Sequence, residues 1–201
     1  MATAQLTVKP FEAKNYESLL GMQGFSDKLL TTHFKLYQGY VTNTNALSDQ
    51  FRLLVAEGKD RTPAFAEEKR RFGWEWNGMR LHEYYFDNLG GKEPLSSAGK
   101  LPELISQNFG DVETWKKEFV STGVMRGIGW VILYQDLLTG RLFNSWIEEH
   151  QTNHLAGGQP ILVMDVFEHA FMTDYGTDRA AYITAFFNNI NWDVVSGRIK
   201  A

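Results

Sequence analysis

The run Ile161-Leu162-Val163-Met164-Asp165-Val166-Phe167-Glu168-His169-Ala170-Phe171 constrains this chain more than any other segment. Its first four residues read as the end of an apolar strand, and the remainder reads as the start of a helix. Burying a polar group without a partner costs about 2–7 kcal/mol, so an Asp, a Glu and a His inside so apolar a stretch need a reason. On a helix, Asp165 and His169 at i and i+4 would share a face, close enough to share one metal ion. The plainer reading is an Asp that caps the helix and a surface His one turn later. The rest of the chain decides between them.

With no cysteine among its 201 residues, the chain forms no disulfide, thiolate metal site or cysteine nucleophile. Any metal is then held by His, Asp, Glu or backbone oxygen. The length suits one large domain or two small ones sharing a core. A formal charge of −4 gives no basic footprint, which argues against nucleic acid and acidic membranes as partners. No apolar run approaches the ~20 residues that cross a bilayer. Residues 1–10 lack the basic and apolar regions of a signal peptide. The expected compartment is the cytoplasm.

The first half reads as helical. Ser26 is a plausible N-cap, and Leu29, Leu30, His33, Phe34, Leu36, Tyr37, Tyr40 and Val41 follow at helical spacing. A second helix starts near Pro63, runs through Phe65, Phe72, Trp76 and Met79 to Phe86, and stops at Asn88-Leu89-Gly90-Gly91. The polar linker over 92–100 places a boundary there, giving a helical hairpin domain over 1–91 and a second domain over 92–201. The second half predicts amphipathic helices over 101–108 and 112–124, with Asp111 near the start of the latter. Strands follow over 129–134, 141–147 and 159–164, the first two joined around Leu138-Thr139-Gly140. Helices over 167–175 and 178–189 and a short one after Asn191 close the chain. The class is α+β, a helical hairpin followed by a small three-stranded antiparallel sheet flanked by helices.

Five histidines make the ligand search short. His33 and His82 lie in apolar helical surroundings, where a neutral imidazole needs a partner. Each alone reads more simply as a core residue. Joined to Asp165 and His169, they complete a set of three His and one Asp, whose donors suit iron or manganese. His150 and His154 make a competing pair that could bind zinc with Glu148 or Glu149 on a helix, but Gln151, Thr152, Asn153 and Gly157-Gly158 favour a loop. Other templates fail. There is no G-x-S-x-G, P-loop or dinucleotide turn, and His82-Glu83 lacks the second His of H-E-x-x-H because position 86 is Phe. Gly127-Ile128-Gly129-Trp130 lacks the rest of a nucleotide fingerprint.

Over nearly its whole length the chain resembles the iron/manganese superoxide dismutase family. Asp165-Val166-Phe167-Glu168-His169-Ala170-Phe171 is similar to the family's D-x-W-E-H-A-Y signature. Leu81-His82-Glu83-Tyr84-Tyr85-Phe86 is similar to N-H-x-F-Y-W, Gly127-Ile128-Gly129-Trp130 to G-S-G-W, and Ile190-Asn191-Trp192-Asp193 to the C-terminal motif. The resemblance implies a helical hairpin domain and an α+β domain. It also implies one iron or manganese ion per chain on His33, His82, Asp165 and His169, with superoxide as substrate. A homodimer is implied too, in which Glu168 reaches the ligand His of the other subunit.

The first helix departs from the pattern. The family usually has a second His one turn after the first ligand and a gateway Tyr eight residues after it. Here Tyr37 stands at i+4 and Tyr40 at i+7, as though one residue were missing. Either tyrosine can stand at the mouth, and the Tyr-Val-Thr-Asn run favours Tyr40. Phe167 replaces the signature Trp and Met172 a second Tyr. In the family that Tyr and the missing His pair across the dimer. Gly78 stands where iron-type members often carry Gln and manganese-type members Gly, leaving room for a side chain from the second domain; His150, with Gln151 beside it, is the candidate. The resemblance further implies that Tyr40 or Tyr37, with Tyr85, Trp130 and His150, shapes the site and relays protons. Lys35, Arg80 and Arg179 are candidates for steering the anionic substrate. An alternative is a homologue of reduced or lost activity that acts as a metal-binding dimer. A non-haem iron oxygenase would need a pocket for an organic substrate, and no such lining pattern stands in the sequence.

Overall fold

Ser26 opens the first helix as expected. In a computed structural model that describes residues 8–200, its backbone is extended and its Oγ accepts from the Leu29 N–H at 3.1 Å. The cap satisfies one of the orphan donors of α1 (Asp27–Ala56). The Thr62 hydroxyl does the same for α2 (Pro63–Asp87), with Pro63 in the first turn, where a missing N–H costs nothing. The six residues between them turn the chain back. The pairs Phe51–Phe65, Asn43–Glu75 and Tyr37–Glu83 trace an antiparallel hairpin. At Gly78 the Tyr40 ring packs directly on the α2 backbone, since a Cβ there would lie 2.5 Å from Cδ1 of Tyr40. The side chain that occupies the space at Gly78 is therefore Tyr40 of the same hairpin. His150 arrives from the second half as expected, its ring 6.1 Å from that of His82, and it meets the Gly78 position through Tyr40.

Two helices, α3 (Leu101–Phe109) and α4 (Val112–Gly123), precede the sheet, and Asp111 caps the second through the Thr114 N–H at 2.6 Å. The strands β1 (Gly129–Asp136), β2 (Leu142–Glu148) and β3 (Gly158–Asp165) form an antiparallel sheet in the order β2-β1-β3. The central strand is buried almost throughout, which explains its unbroken apolar sequence. In the register, Trp130 stands opposite both Ile147 and Asp165. Directly opposed residues point to the same face, so the indole and the carboxylate emerge side by side.

After Asp165 the structure departs from the expected helix over 167–175. A single 3-10 turn, Glu168–Ala170, precedes the one-turn helix α5 (Met172–Tyr175). Asp165 is the last residue of β3 and His169 lies in the turn, so the two do not share a helix face. The cause is local. The Asp165 Oδ1 accepts the Phe167 N–H at 2.8 Å, an Asx turn that competes with helix formation. Two further helices, α6 (Arg179–Asn188) and α7 (Trp192–Ser196), complete the fold. The end of the hairpin is tied to them by a Leu89–Ile190 bridge and by Gly91 N–H donating to Asn189. No described helix is long and apolar enough to cross a membrane. The leader-free reading of residues 1–7 lies outside the described residues.

Candidate metal centre

Four elements deliver one donor atom each to a common point. α1 contributes His33, α2 contributes His82, the end of β3 contributes Asp165, and the 3-10 turn contributes His169. The Oδ2 of Asp165 lies 3.2 Å from His33 Nε2, 3.1 Å from His169 Nε2 and 3.7 Å from His82 Nε2. All four donor atoms lie within 4.8 Å of one another. Of these residues only His169 is not buried, with 23% of its side chain exposed.

The protonation states follow from the surroundings. His82 Nδ1–H donates to the Gly78 carbonyl at 2.5 Å, which leaves the lone pair of Nε2 facing inward. That Nε2 is buried and has no partner, as has His33 Nδ1. Burial lowers the pKa of His33 and holds that of His82 well below the ordinary range. Burial alone would raise the Asp165 carboxyl, but His169 and His33, both within hydrogen-bond reach of its Oδ2, outweigh it and push it far down. At neutral pH, His33 and His82 are thus neutral donors and Asp165 an anion. A buried carboxylate anion and an orphaned imidazole nitrogen facing one point are a donor pair that a cation there would satisfy. Three nitrogens and one oxygen, with no sulfur, fit iron or manganese.

Aromatic rings wall the cluster. Tyr40 stacks on His82 at 5.2 Å, Phe167 on His169 at 5.1 Å, and the Trp130 indole meets His82 edge-on at 5.0 Å. Tyr85 lies tilted against His33 at 5.3 Å. The Tyr182 hydroxyl donates to the Asp165 carbonyl at 2.6 Å. Since a hydroxyl carries one hydrogen, Tyr85 donates to Tyr182 across their 3.2 Å separation. Tyr182 was missed at the sequence level, where a tyrosine on an apolar helix carries no distinguishing mark.

His150 lies in the loop expected for it, fully buried, with its ring stacked on Phe167 at 4.6 Å. Trp130 Nε1–H donates to its Nδ1 at 3.1 Å, and its Nε2 lies 2.7 Å from the Tyr40 hydroxyl. An indole nitrogen only donates, so Nδ1 is the acceptor and Nε2 carries the hydrogen. His150 therefore donates to Tyr40, and the phenolic hydrogen of Tyr40 is free for another acceptor. Burial lowers the His150 pKa to about 4. Gln151 is exposed, and its Cβ faces Gly73, not the cluster.

The buried Tyr37 ring lies tilted against His82 at 6.3 Å, but its hydroxyl is engaged by other partners. Its hydroxyl donates to Glu83 at 3.0 Å and accepts from the Lys14 N–H at 3.0 Å. Of the two tyrosines, Tyr40 is the one whose hydroxyl is brought to His150. Each steering candidate has neighbours of its own. Lys35 lines a surface groove with Ala13–Glu17 side chains and Thr31, Arg80 is engaged by Glu83 at 2.6 Å, and Arg179 donates to the carbonyls of Met125 and Gly127 at 2.7 and 2.9 Å. A cation the sequence reading overlooked reaches His150 through one aromatic ring. The Arg71 guanidinium lies 4.8 Å over the Trp74 ring, and that ring meets His150 edge-on at 4.9 Å. Arg71 is held by the buried Glu75, which also accepts from Asn43. Nothing in the local sequence separates it from the other charges of α2. Glu168 is exposed, on a surface shared with Met172 and Met125.

The family description "Iron/manganese superoxide dismutases, C-terminal domain" matches residues 97–198. An iron superoxide dismutase of Cupriavidus metallidurans is 38% identical over 185 residues, covering 90% of this chain and 91% of the relative. The chain belongs to the iron/manganese superoxide dismutase family. An iron superoxide dismutase of Aquifex pyrophilus is 34% identical over 96% of the chain and 92% of the relative. The manganese superoxide dismutase 1 of Haloferax volcanii is 33% identical over 100% and 96%. Relatives named for either metal match, and the helical hairpin, the three-stranded sheet and the His–Asp cluster of this chain accord with the iron/manganese superoxide dismutase resemblance in its sequence.

Proposed function

We propose that the chain is a superoxide dismutase that converts two superoxide anions and two protons to oxygen and hydrogen peroxide, at one iron or manganese ion held by His33, His82, Asp165 and His169. The observation that carries this reading is the convergence of those four donors within 4.8 Å, with the inward-facing Nε2 of His82 left unpartnered. A bound iron or manganese would supply a one-electron couple at that point.

The chain's own residues do the remainder. His33, His82 and His169 direct their Nε2 atoms, and Asp165 its Oδ2, at the common point, where the carboxylate offsets part of a cation's charge. Trp130, Phe167 and Tyr40 pack against these ligands and exclude bulk water, which strengthens each electrostatic interaction inside. His150 holds Tyr40 through a donated hydrogen bond, leaving the Tyr40 hydroxyl to deliver a proton at the site. Arg71, carrying an exposed guanidinium above Trp74, offers the anionic substrate a local positive charge on a protein of net charge −4.

We further infer a cytoplasmic homodimer. The exposed Glu168 beside the partly exposed His169 supports a second copy seated over that turn. Sedimentation at micromolar concentration is expected to give a dimer that weakens in Glu168→Ala; a wild-type monomer would contradict it. The function itself is tested by loading the protein separately with iron and manganese and following superoxide consumption. Metal-dependent consumption is expected in at least one form, and full occupancy with neither form active would overturn the reading.

A further inference from the structure

The loop after β2 holds a second histidine, His154, which touches none of the four ligands. We propose that His154 is a positioning residue that fixes His150, and through it the Tyr40 hydroxyl. The kinetic part of this inference rests on the dismutase reading above.

The loop is strained. Glu149 (φ 53°) and Asn153 (φ 71°) both adopt the left-handed region, which costs non-glycine residues energy and persists only where the surroundings impose it. A bridge between Glu148 and Thr152 closes its base. Within it, one His154 nitrogen, Nε2, lies 2.8 Å from the His150 carbonyl, and the other, Nδ1, lies 2.8 Å from the Tyr134 hydroxyl. A carbonyl only accepts, so Nε2 carries the hydrogen, and Nδ1 accepts from Tyr134. Each atom of the chain Tyr134 to His154 to His150 therefore has one defined role.

The anchor matters as much as the bonds. Tyr134 is a buried residue of β1, the strand that also carries Trp130. Residues at i and i+4 of a strand lie on the same face. His150 is thus fastened twice to one rigid strand face, its ring directly to Trp130 and its backbone through His154 to Tyr134. Losing the second tie loosens the backbone that carries the ring, so that the ring shifts about the first within its contacts to Phe167 and Trp74. The Nε2–H would then be misaimed from Tyr40, although no ligand had been altered.

The competing role is purely structural, with His154 serving only to satisfy the buried Tyr134 hydroxyl. A double-mutant cycle separates the two. His154→Ala and His154→Gln are compared in the metal-loaded protein, each with and without His150→Ala, reading kcat/KM for superoxide, metal content and backbone hydrogen exchange at residues 150–152. His154→Ala is expected to lower kcat/KM about 10-fold with metal retained, as loss of an orienting partner does. His154→Gln is expected to recover most of that, since its amide both donates and accepts. In the His150→Ala background the same substitution is expected to change kcat/KM less than about 2-fold, because its route to the site is gone. Equal loss in both backgrounds, or no rescue by Gln, overturns the positioning role. Wild-type protein without dismutase activity removes the functional reading alone. The exchange measurement still tests the His154 link in that case, and unchanged protection at 150–152 in His154→Ala overturns it.

Discussion

The Tyr40 hydroxyl sits 2.7 Å from His150 Nε2, and the opposite nitrogen of that ring accepts the Trp130 indole N–H at 3.1 Å. The pairing fixes a single tautomer and gives the ring one hydrogen to donate. A glutamine can reproduce both contacts, its oxygen accepting from Trp130 and its nitrogen donating to Tyr40; an alanine reproduces neither. His150→Ala is expected to lose about 10- to 100-fold in kcat/KM without losing metal, and His150→Gln to stay within about 3-fold of wild type. Full activity in His150→Ala would remove the ring from the relay.

The same ring sets a pH dependence. Burial, working against the opposing charge of Asp165, lowers the folded pKa of His150 to about 4, while the unfolded chain has the ordinary value of 6.5. Between those values the unfolded chain binds a proton that the folded chain refuses, so stability falls as the pH is lowered through that window. The full difference is on the order of 3 kcal/mol. Thermal unfolding between pH 7 and pH 4 is expected to show wild type losing more stability than His150→Gln. Parallel curves would contradict the assignment.

Two helical glycines have opposite consequences. At Gly39 a Cβ meets nothing within 4 Å, so Gly39→Ala is expected to stabilise α1 by up to about 1 kcal/mol. At Gly78 the new Cβ would lie 2.5 Å from the Tyr40 ring, and overpacking of that kind costs about 1–3 kcal/mol. Gly78→Ala is expected to lower Tm and, by moving Tyr40 off His150, to lower kcat/KM as well. A stabilised, fully active Gly78→Ala would show that Tyr40 can move without effect.

Arg71 is expected to act on encounter. Arg71→Gln should lower kcat/KM several-fold at low salt and flatten its salt dependence, while Arg71→Lys keeps both, because exposed charges act over about 10 Å at 0.1 M salt. The lysine control matters since Glu75 is buried and needs a cation. An unchanged salt dependence in Arg71→Gln would exclude steering by this residue.

Much of this architecture is legible in the sequence because local rules agree with the fold. Ser26 and Asp111 cap where their spacing says they should, the apolar run at 129–134 becomes the buried central strand, and His33 and His82 fall on helix faces turned inward. The run after Asp165 was misread because helical spacing and an Asx turn place i and i+4 at similar separations, and only the backbone tells them apart. Arg71, Tyr134 and Tyr182 were invisible for another reason. Their roles come from partners 20 or more residues away or from a ring stacked between, and periodicity within one element carries no trace of such contacts.

Metal content and superoxide consumption, measured on the same preparations of wild type and His169→Ala, test the central claim most directly. About one iron or manganese per wild-type chain is expected, with consumption rising in proportion to it, and His169→Ala is expected to lose most of both as the cluster drops to three donors. A His169→Ala protein that keeps wild-type metal content and wild-type rate would contradict the assignment of His33, His82, Asp165 and His169 as one centre.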